Sequence, residues 1–126
     1  MSRKIEIQMI SAIRETLADS NFVGQYWKSG NTCVFQQNEN GPNGRRWIEV
    51  ILHNTVIALI EPDAHRISIY TKGFRTTTTK SRINAILSNL SSGYSVFQKN
   101  HEWRYCRRSW DKSESFYEGL SVGLCI

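Results

Sequence analysis

Apolar residues near the N-terminus recur at helical spacing. In "RKIEIQMISAIRETLA", residues 3–18, one stripe of side chains is apolar and the charged side chains lie elsewhere. The stripe contains Ile5, Met9, Ile10, Ile13 and Leu17. This pattern predicts an amphipathic helix of about four turns, which we expect to pack against a sheet or a second subunit.

The next part of the chain has the pattern of strands. The segments "CVFQQ", "RRWIEVILH", "VIALIE" and "RISIYT" are rich in β-branched and aromatic residues, and the last one alternates apolar with polar positions. Turn-forming residues separate them in "NENGPNG", at His53–Thr55 and in "EPDAH". These features predict four strands in an antiparallel meander.

A second helix is predicted after the fourth strand, within "GFRTTTTKSRINAIL", residues 73–87. Threonine is a common N-cap, so we expect this helix to begin at Thr78 or Thr79 and to end near Leu90. Farther on, "YSVFQ" and "EWRYCRR" predict a hairpin, and "SESFYEGL" predicts a short terminal helix. The predicted fold class is therefore α+β, with helices packed on an antiparallel sheet.

Length and composition predict one domain over residues 1–126, with the N-terminal helix in residues 1–20 and a ligand-binding core of sheet and helix in residues 31–126. No apolar run approaches about 18 residues and no charged-then-apolar leader opens the chain, so we expect neither a membrane span nor a secretion signal. The three cysteines are odd in number and far apart, which argues against disulfides and zinc. We expect a soluble, cytosolic protein.

The net charge of +5 is concentrated in two segments. Residues 72–82 contain four cationic and no acidic residues, and residues 99–112 contain five cationic and two acidic ones. This concentration favours an anionic partner, although two solvated faces explain the charge equally well.

Enzymatic templates find little support. His53, His65 and His101 stand without the histidine, cysteine pair or serine elbow that would make them metal ligands or bases. "GPNG" lacks the glycine pattern and the lysine of a phosphate-binding loop. We therefore expect a binding protein rather than an enzyme, with no cofactor and no metal.

The start of the second helix is a candidate anion site. Cations in the first turn of a helix cost about 0.3–1 kcal/mol each unless an anion compensates them. Free amides, hydroxyls and cations together form a phosphate cradle there. The candidates are Arg75, Thr78, Thr79 and Arg82.

Aromatic residues and an amide extend this candidate site. Phe74 is placed to stack on a heterocycle, and Asn84 offers a paired donor and acceptor for a base edge or a ribose. In "HEWRYCRRSW", aromatic residues interleave with arginines, as suits stacking and phosphate contacts. The candidates there are Trp103, Arg104, Arg107 and Arg108. The alternative is that Phe74 and Trp103 belong to the core and the arginines are solvated.

The string "LHNTVIALIEPD…RISIYTKGFRTTTTKSRINAIL…VFQKNHEWRY" resembles a family of small bacteriophage proteins, the first-described anti-Thoeris sponges. The resemblance covers residues 50–108 and depends on the G-F, TT, R-x-N-A and QK…W elements in that order. It implies that the protein binds glycocyclic ADP-ribose signals and holds them intact, so that Thoeris defence is not activated. It further implies a possible second ligand class, the cyclic trinucleotides of CBASS-type defence. Phe74 and Asn84 match the family's aromatic and asparagine ligand contacts, and the arginines of the C-terminal hairpin match its phosphate contacts.

Assembly is the last expectation. The tail "GLSVGLCI" and the four tryptophans present more apolar surface than a small monomer readily covers, so we expect a homodimer or a higher homo-oligomer such as a hexamer in the host bacterial cytoplasm. No membrane partner is expected. The rival functions are nucleic-acid binding and a role in phage structure or assembly, and neither is the expected one.

Overall fold

The computed structural model describes residues 3–39, 45–108 and 112–125. Two α-helices and nine strands lie within these residues. In chain order they are α1 Arg3–Leu17, β1 Gly24–Ser29, β2 Thr32–Asn38, β3 Arg46–Leu52, β4 Thr55–Glu61, β5 Arg66–Ile69, α2 Thr77–Leu90, β6 Tyr94–Lys99, β7 Glu102–Arg107, β8 Glu114–Ser115 and β9 Leu120–Gly123. A short 3-10 helix, Pro62–Ala64, joins β4 to β5. The class is α+β, as the sequence predicts.

A six-stranded antiparallel sheet, in the order β1-β2-β3-β4-β5-β9, forms the larger part of the fold. The four predicted strands are β2 to β5, and they form the predicted meander. His53 and Asn54 both have positive φ, 51° and 64°, which is the backbone that a two-residue hairpin turn requires. The predicted turn between β2 and β3 falls mostly on residues 40–44, which lie outside the described residues.

Two strands of this sheet were not predicted. The segment "GQYWKS" forms β1, and β9 begins at Leu120, the last residue of the segment that was predicted as a short terminal helix. The helix prediction for residues 113–120 was wrong because Glu114 and Ser115 form β8, which pairs with β7. In β9, Leu120 and Val122 are buried while Ser121 and Gly123 are exposed, the period of two of a strand, and this strand pairs with β5. Leu120, Val122 and Leu124 of the apolar tail are thus buried within the chain, and these residues no longer support an oligomer.

The core lies between this sheet and the two helices. From α1 it takes Met9, Ile10 and Ile13, which the predicted stripe contains, and from α2 it takes residues such as Ile83 and Leu87. The inward side chains of the strands complete the same cluster. No helix in the described part of the chain is long and apolar enough to cross a membrane.

A second, three-stranded sheet in the order β6-β7-β8 contains the predicted hairpin. Trp103 is buried and Tyr105 packs against the core, as expected for side chains that share a face of β7. Arg104 and Cys106 occupy alternate positions on the other face. The core interpretation of Trp103 is therefore correct.

Candidate functional site

A cleft of about 340 Å³ lies between the β3–β4 turn and the start of α2. Its lining is mostly apolar, with Leu52 and Ile57 from the sheet and Phe74 from the loop before the helix. Hydroxyl groups of several threonines add polar atoms to the wall. Small-molecule sites have this character, since an apolar wall with a few polar groups binds and orients a ligand.

Phe74 projects from a tight loop rather than into the core. Its amide donates to the carbonyl of Thr71 at 2.9 Å, and the residues between them, Lys72 and Gly73, have φ of 52° and 86°. Phe74 is 63% exposed and also lines the cleft. The alternative that Phe74 is a core residue is therefore excluded.

Helix α2 begins earlier than the sequence pattern suggested. Thr76 is the N-cap, and its hydroxyl accepts a hydrogen bond of 3.1 Å from the amide of Thr79. The two hydroxyls are also 3.0 Å apart. The predicted start at Thr78 or Thr79 was wrong because every residue of a threonine run is a suitable cap, and sequence alone does not choose among them. Of the predicted site residues, Thr78 is exposed at the cleft and Thr79 is buried beside it.

Arg82 points away from the cleft and into the molecule. It lies in the second turn of α2, is 5% exposed, and places its Nη1 3.1 Å from the carboxylate of Glu6 in α1. Its Nε donates to the hydroxyl of Thr32 at 3.3 Å. Ser81 also donates to the Glu6 carboxylate. The cation near the helix start is thus balanced by an internal acid, and no bound anion is needed to explain Arg82.

Asn84 is engaged with strand β6. Its amide nitrogen donates to the carbonyl of Val96 at 2.8 Å, and its amide oxygen accepts from the Val96 amide at 2.8 Å. This pair of bonds ties α2 to the smaller sheet. A ligand contact by Asn84 stays a prediction, and in this structure the groups it would use are occupied by Val96.

Arg75 joins the loop to the C-terminal hairpin. Its guanidinium carbon is 5.9 Å from the Trp103 ring centroid and 5.2 Å from that of Phe116, and the two rings meet edge to face. Its Nη2 is 3.6 Å from the carboxylate of Glu118. The structure therefore brings two predicted site residues, Arg75 and Trp103, together within one chain.

The remaining arginines lie apart from the cleft. Arg104 is bound by Glu102 and Ser113 through three hydrogen bonds of 2.7 Å. Arg107 donates to the carbonyl of Ser92 and lies 5.7 Å from the Tyr94 ring centroid, at the far end of β7. Arg108 is exposed beside it. None of these three lines the cleft of its own chain.

Comparison with models of protein families identifies the family of this chain. Residues 2–123 match the model of the Kyanoviridae Gp96 protein family, a family of bacteriophage proteins. The chain belongs to this family. No curated protein and no solved structure matches this Gp96-family chain.

Two residues of this Gp96-family protein take part in the site without having been predicted. His53, interpreted from the sequence as a turn histidine, lines the cleft because the β3–β4 turn reaches the start of α2. Glu118 binds the loop that precedes Phe74. Burial acts to raise the pKa of Glu118, but the hydrogen bonds from Thr71 and Lys72 and the nearby Arg75 outweigh it, so this pKa is below its ordinary value. Nothing in the sequence links Glu118 to a loop 46 residues earlier.

Proposed function

We propose that this phage protein binds and sequesters a small cyclic nucleotide immune signal and does not degrade it. The proposed ligands are glycocyclic ADP-ribose isomers, with cyclic trinucleotides as a second class, and binding in the host bacterial cytoplasm blocks Thoeris or CBASS-type defence. The observation that carries the proposal is the cleft of about 340 Å³ with the exposed Phe74 ring in its wall.

The chemistry of the cleft suits a nucleotide. The exposed Phe74 ring offers a surface on which a base stacks, and the almost fully buried side chains of Leu52 and Ile57 add apolar lining to the cleft. The Thr76 hydroxyl caps the amide of Thr79, and the preceding amides of the first turn have no partners inside the helix, so the start of α2 favours an anionic group such as phosphate. Membership in a phage family and the resemblance over residues 50–108 agree with this reading.

The separated arginines favour a site shared between chains. Arg104, Arg107 and Arg108 belong to the proposed site, yet they do not line the cleft of their own chain. In a homodimer or a higher homo-oligomer such as a hexamer, a neighbouring chain brings its hairpin arginines to the cleft and encloses the phosphates. Light scattering tests this part. A mass near 14.6 kDa for the ligand-bound protein across micromolar concentrations contradicts it.

Sequestration without catalysis is tested by recovering the ligand. The protein is incubated with glycocyclic ADP-ribose, denatured with heat, and the released small molecule is analysed by chromatography and mass spectrometry. Recovery of the intact cyclic compound is the expected result. Conversion to ADP-ribose contradicts the proposal, and calorimetry that shows no binding contradicts it as well.

Nucleic-acid binding is the second candidate, and one surface favours it. Arg107 lies over the Tyr94 ring, and the exposed Arg108 is its neighbour, so a cation and an aromatic ring adjoin at the end of β7. Binding along many phosphates falls steeply with salt because counterions are released, whereas one pyrophosphate in a cleft gives a shallow dependence. Binding to single-stranded or duplex DNA with a slope of about six phosphate contacts supports this candidate over sequestration.

A further inference from the structure

The carboxylate of Glu118 is held by the loop that leads to Phe74. Its Oε1 accepts hydrogen bonds from the amides of Thr71 and Lys72, each 2.7 Å long. Its Oε2 accepts from the Thr71 hydroxyl at 2.5 Å, and Arg75 is 3.6 Å away. One side chain near the C-terminus therefore binds three donors and one cation of a loop that is distant in sequence.

This loop needs such support. Lys72 has a φ of 52°, in the left-handed region that side chains other than glycine rarely adopt, and Gly73 follows with a φ of 86°. This backbone points the amides of Thr71 and Lys72 at one acceptor, as in the loops that bind anions. Thr71 is fully buried, so its amide and hydroxyl protons would lose their acceptor if the carboxylate were removed.

We propose that Glu118 is a positioning residue for the cleft, which fixes the Thr71–Arg75 loop and thereby holds Phe74 in the cleft wall where a ligand meets it. The part that concerns the ligand rests on the proposed function. The part that concerns the order of the loop is measurable without any ligand. An experiment can therefore contradict one part of the proposal and leave the other standing.

A competing account makes the loop itself the phosphate site. The donors that bind the Glu118 carboxylate also suit a phosphate, and a ligand would then have to displace Glu118. We favour the positioning role because the carboxylate already satisfies the buried Thr71 groups. The two accounts predict opposite effects when the carboxylate is removed, because a positioning residue supports binding and a competitor opposes it.

The order of the loop is tested by NMR on Glu118→Gln. Glutamine keeps the shape but is uncharged and has one acceptor oxygen in place of two, so the Thr71 and Lys72 amides lose a charged acceptor and the three donors are no longer all satisfied. We expect the amides of Thr71 and Lys72 to exchange with solvent about tenfold faster or more, as the loss of bonds to a charged acceptor implies. Glu114→Gln is the control, because Glu114 lies on the same C-terminal segment as Glu118 and accepts its hydrogen bond from the Tyr105 hydroxyl. Unchanged exchange in Glu118→Gln overturns the proposal.

A pH titration gives a second readout. In the wild type, the amide proton resonances of Thr71 and Lys72 should shift together as acid protonates Glu118, and this shift should be absent in Glu118→Gln. The charged side chain beside this carboxylate is that of Arg75, with Nη2 3.6 Å away, and the Lys72 ammonium lies 5.3 Å from the Tyr70 ring centroid. Resonances that titrate equally in both proteins contradict the contact.

Ligand affinity completes the test, with glycocyclic ADP-ribose as the probe. We expect Glu118→Gln to bind about tenfold more weakly than the wild type while Glu114→Gln binds normally. Tighter binding by Glu118→Gln identifies the carboxylate as a competitor and overturns the positioning role. If the wild type binds no probe, the proposed function fails, and the exchange and titration results still decide whether Glu118 orders the loop.

Discussion

Residues 74–78 and residues 79–84 are continuous in sequence, yet their side chains meet different surroundings. All five residues of the first part are exposed, and Phe74 and Thr78 line the cleft. In the second part, Arg82 reaches Glu6 in α1 and Asn84 binds the backbone of Val96 in β6. The first part is available to a ligand, whereas the second part connects α2 to two other elements of the fold.

The difference shows that a cation, a hydroxyl and an amide near a helix start do not have to form one site. Arg82 and Asn84 have the chemistry of ligand contacts, and internal partners use that chemistry. If the comparison is correct, substitutions of Arg82 and Asn84 lower stability, and substitution of Phe74 changes binding with little effect on stability.

The largest loss of stability is expected for Arg82→Ala. This change removes the guanidinium partner of the Glu6 carboxylate between two helices, and breaking a buried ion pair costs about 3–5 kcal/mol. The Glu6 side chain is 17% exposed, which favours the lower end. Urea denaturation measures the effect, with Lys80→Ala on the same helix as the control. A change no larger than that of the control would show that Arg82 is not structural.

Asn84→Ala should have the next largest effect. Both of its hydrogen bonds to Val96 are lost, and we expect a decrease of about 2 kcal/mol in the free energy of unfolding. The matched control is Asn89→Ala, because the Asn89 side chain is exposed on the same helix and donates to the Ala85 carbonyl and the Ser88 hydroxyl of that helix. An Asn84→Ala protein that keeps full stability and no longer binds the ligand would support the predicted ligand contact by Asn84.

A smaller effect is expected for Thr76→Ala at the boundary of the two parts. Removal of an N-cap hydroxyl costs about 1 kcal/mol, since the amide of Thr79 loses its acceptor. Thr77→Ala is the control, as Thr77 is the first residue of the helix and is exposed. Thermal unfolding of the two variants distinguishes them. A melting temperature lowered more by Thr77→Ala than by Thr76→Ala would make Thr77 the cap and place the start of the helix at the predicted Thr78.

Phe74→Ala should change stability least, by less than about 0.5 kcal/mol, because the side chain is 63% exposed. Stacking on a base contributes about 1–3 kcal/mol, so binding of glycocyclic ADP-ribose should weaken by about tenfold to a hundredfold. Ile7→Ala, at a residue that is 62% exposed on α1, controls for loss of exposed apolar surface. If calorimetry finds equal affinity in the wild type and Phe74→Ala, Phe74 does not contribute to ligand binding.

Local sequence patterns predicted much of the fold. The apolar stripe of α1, the strands β2 to β5 and the alternation along β7 all follow from periods of 3.6 and 2, which depend on neighbours in sequence. The same patterns missed β1 and β9. Both are edge strands of the larger sheet, and β9 is defined by its pairing with β5 across more than fifty residues. Long-range pairing of this kind leaves little trace in the segment itself.

The side-chain arrangement of the candidate site was also only partly predictable from the sequence. Sequence alone indicated that residues 73–87 hold a helix start with exposed polar groups and an aromatic residue beside it, because threonine caps and helical spacing are local properties. Tertiary structure alone decided that Phe74 faces a cleft, that Arg82 and Asn84 face Glu6 and Val96, and that Glu118 binds the Thr71–Arg75 loop. The direction of a side chain depends on which distant element packs beside it, and composition and spacing do not contain that information.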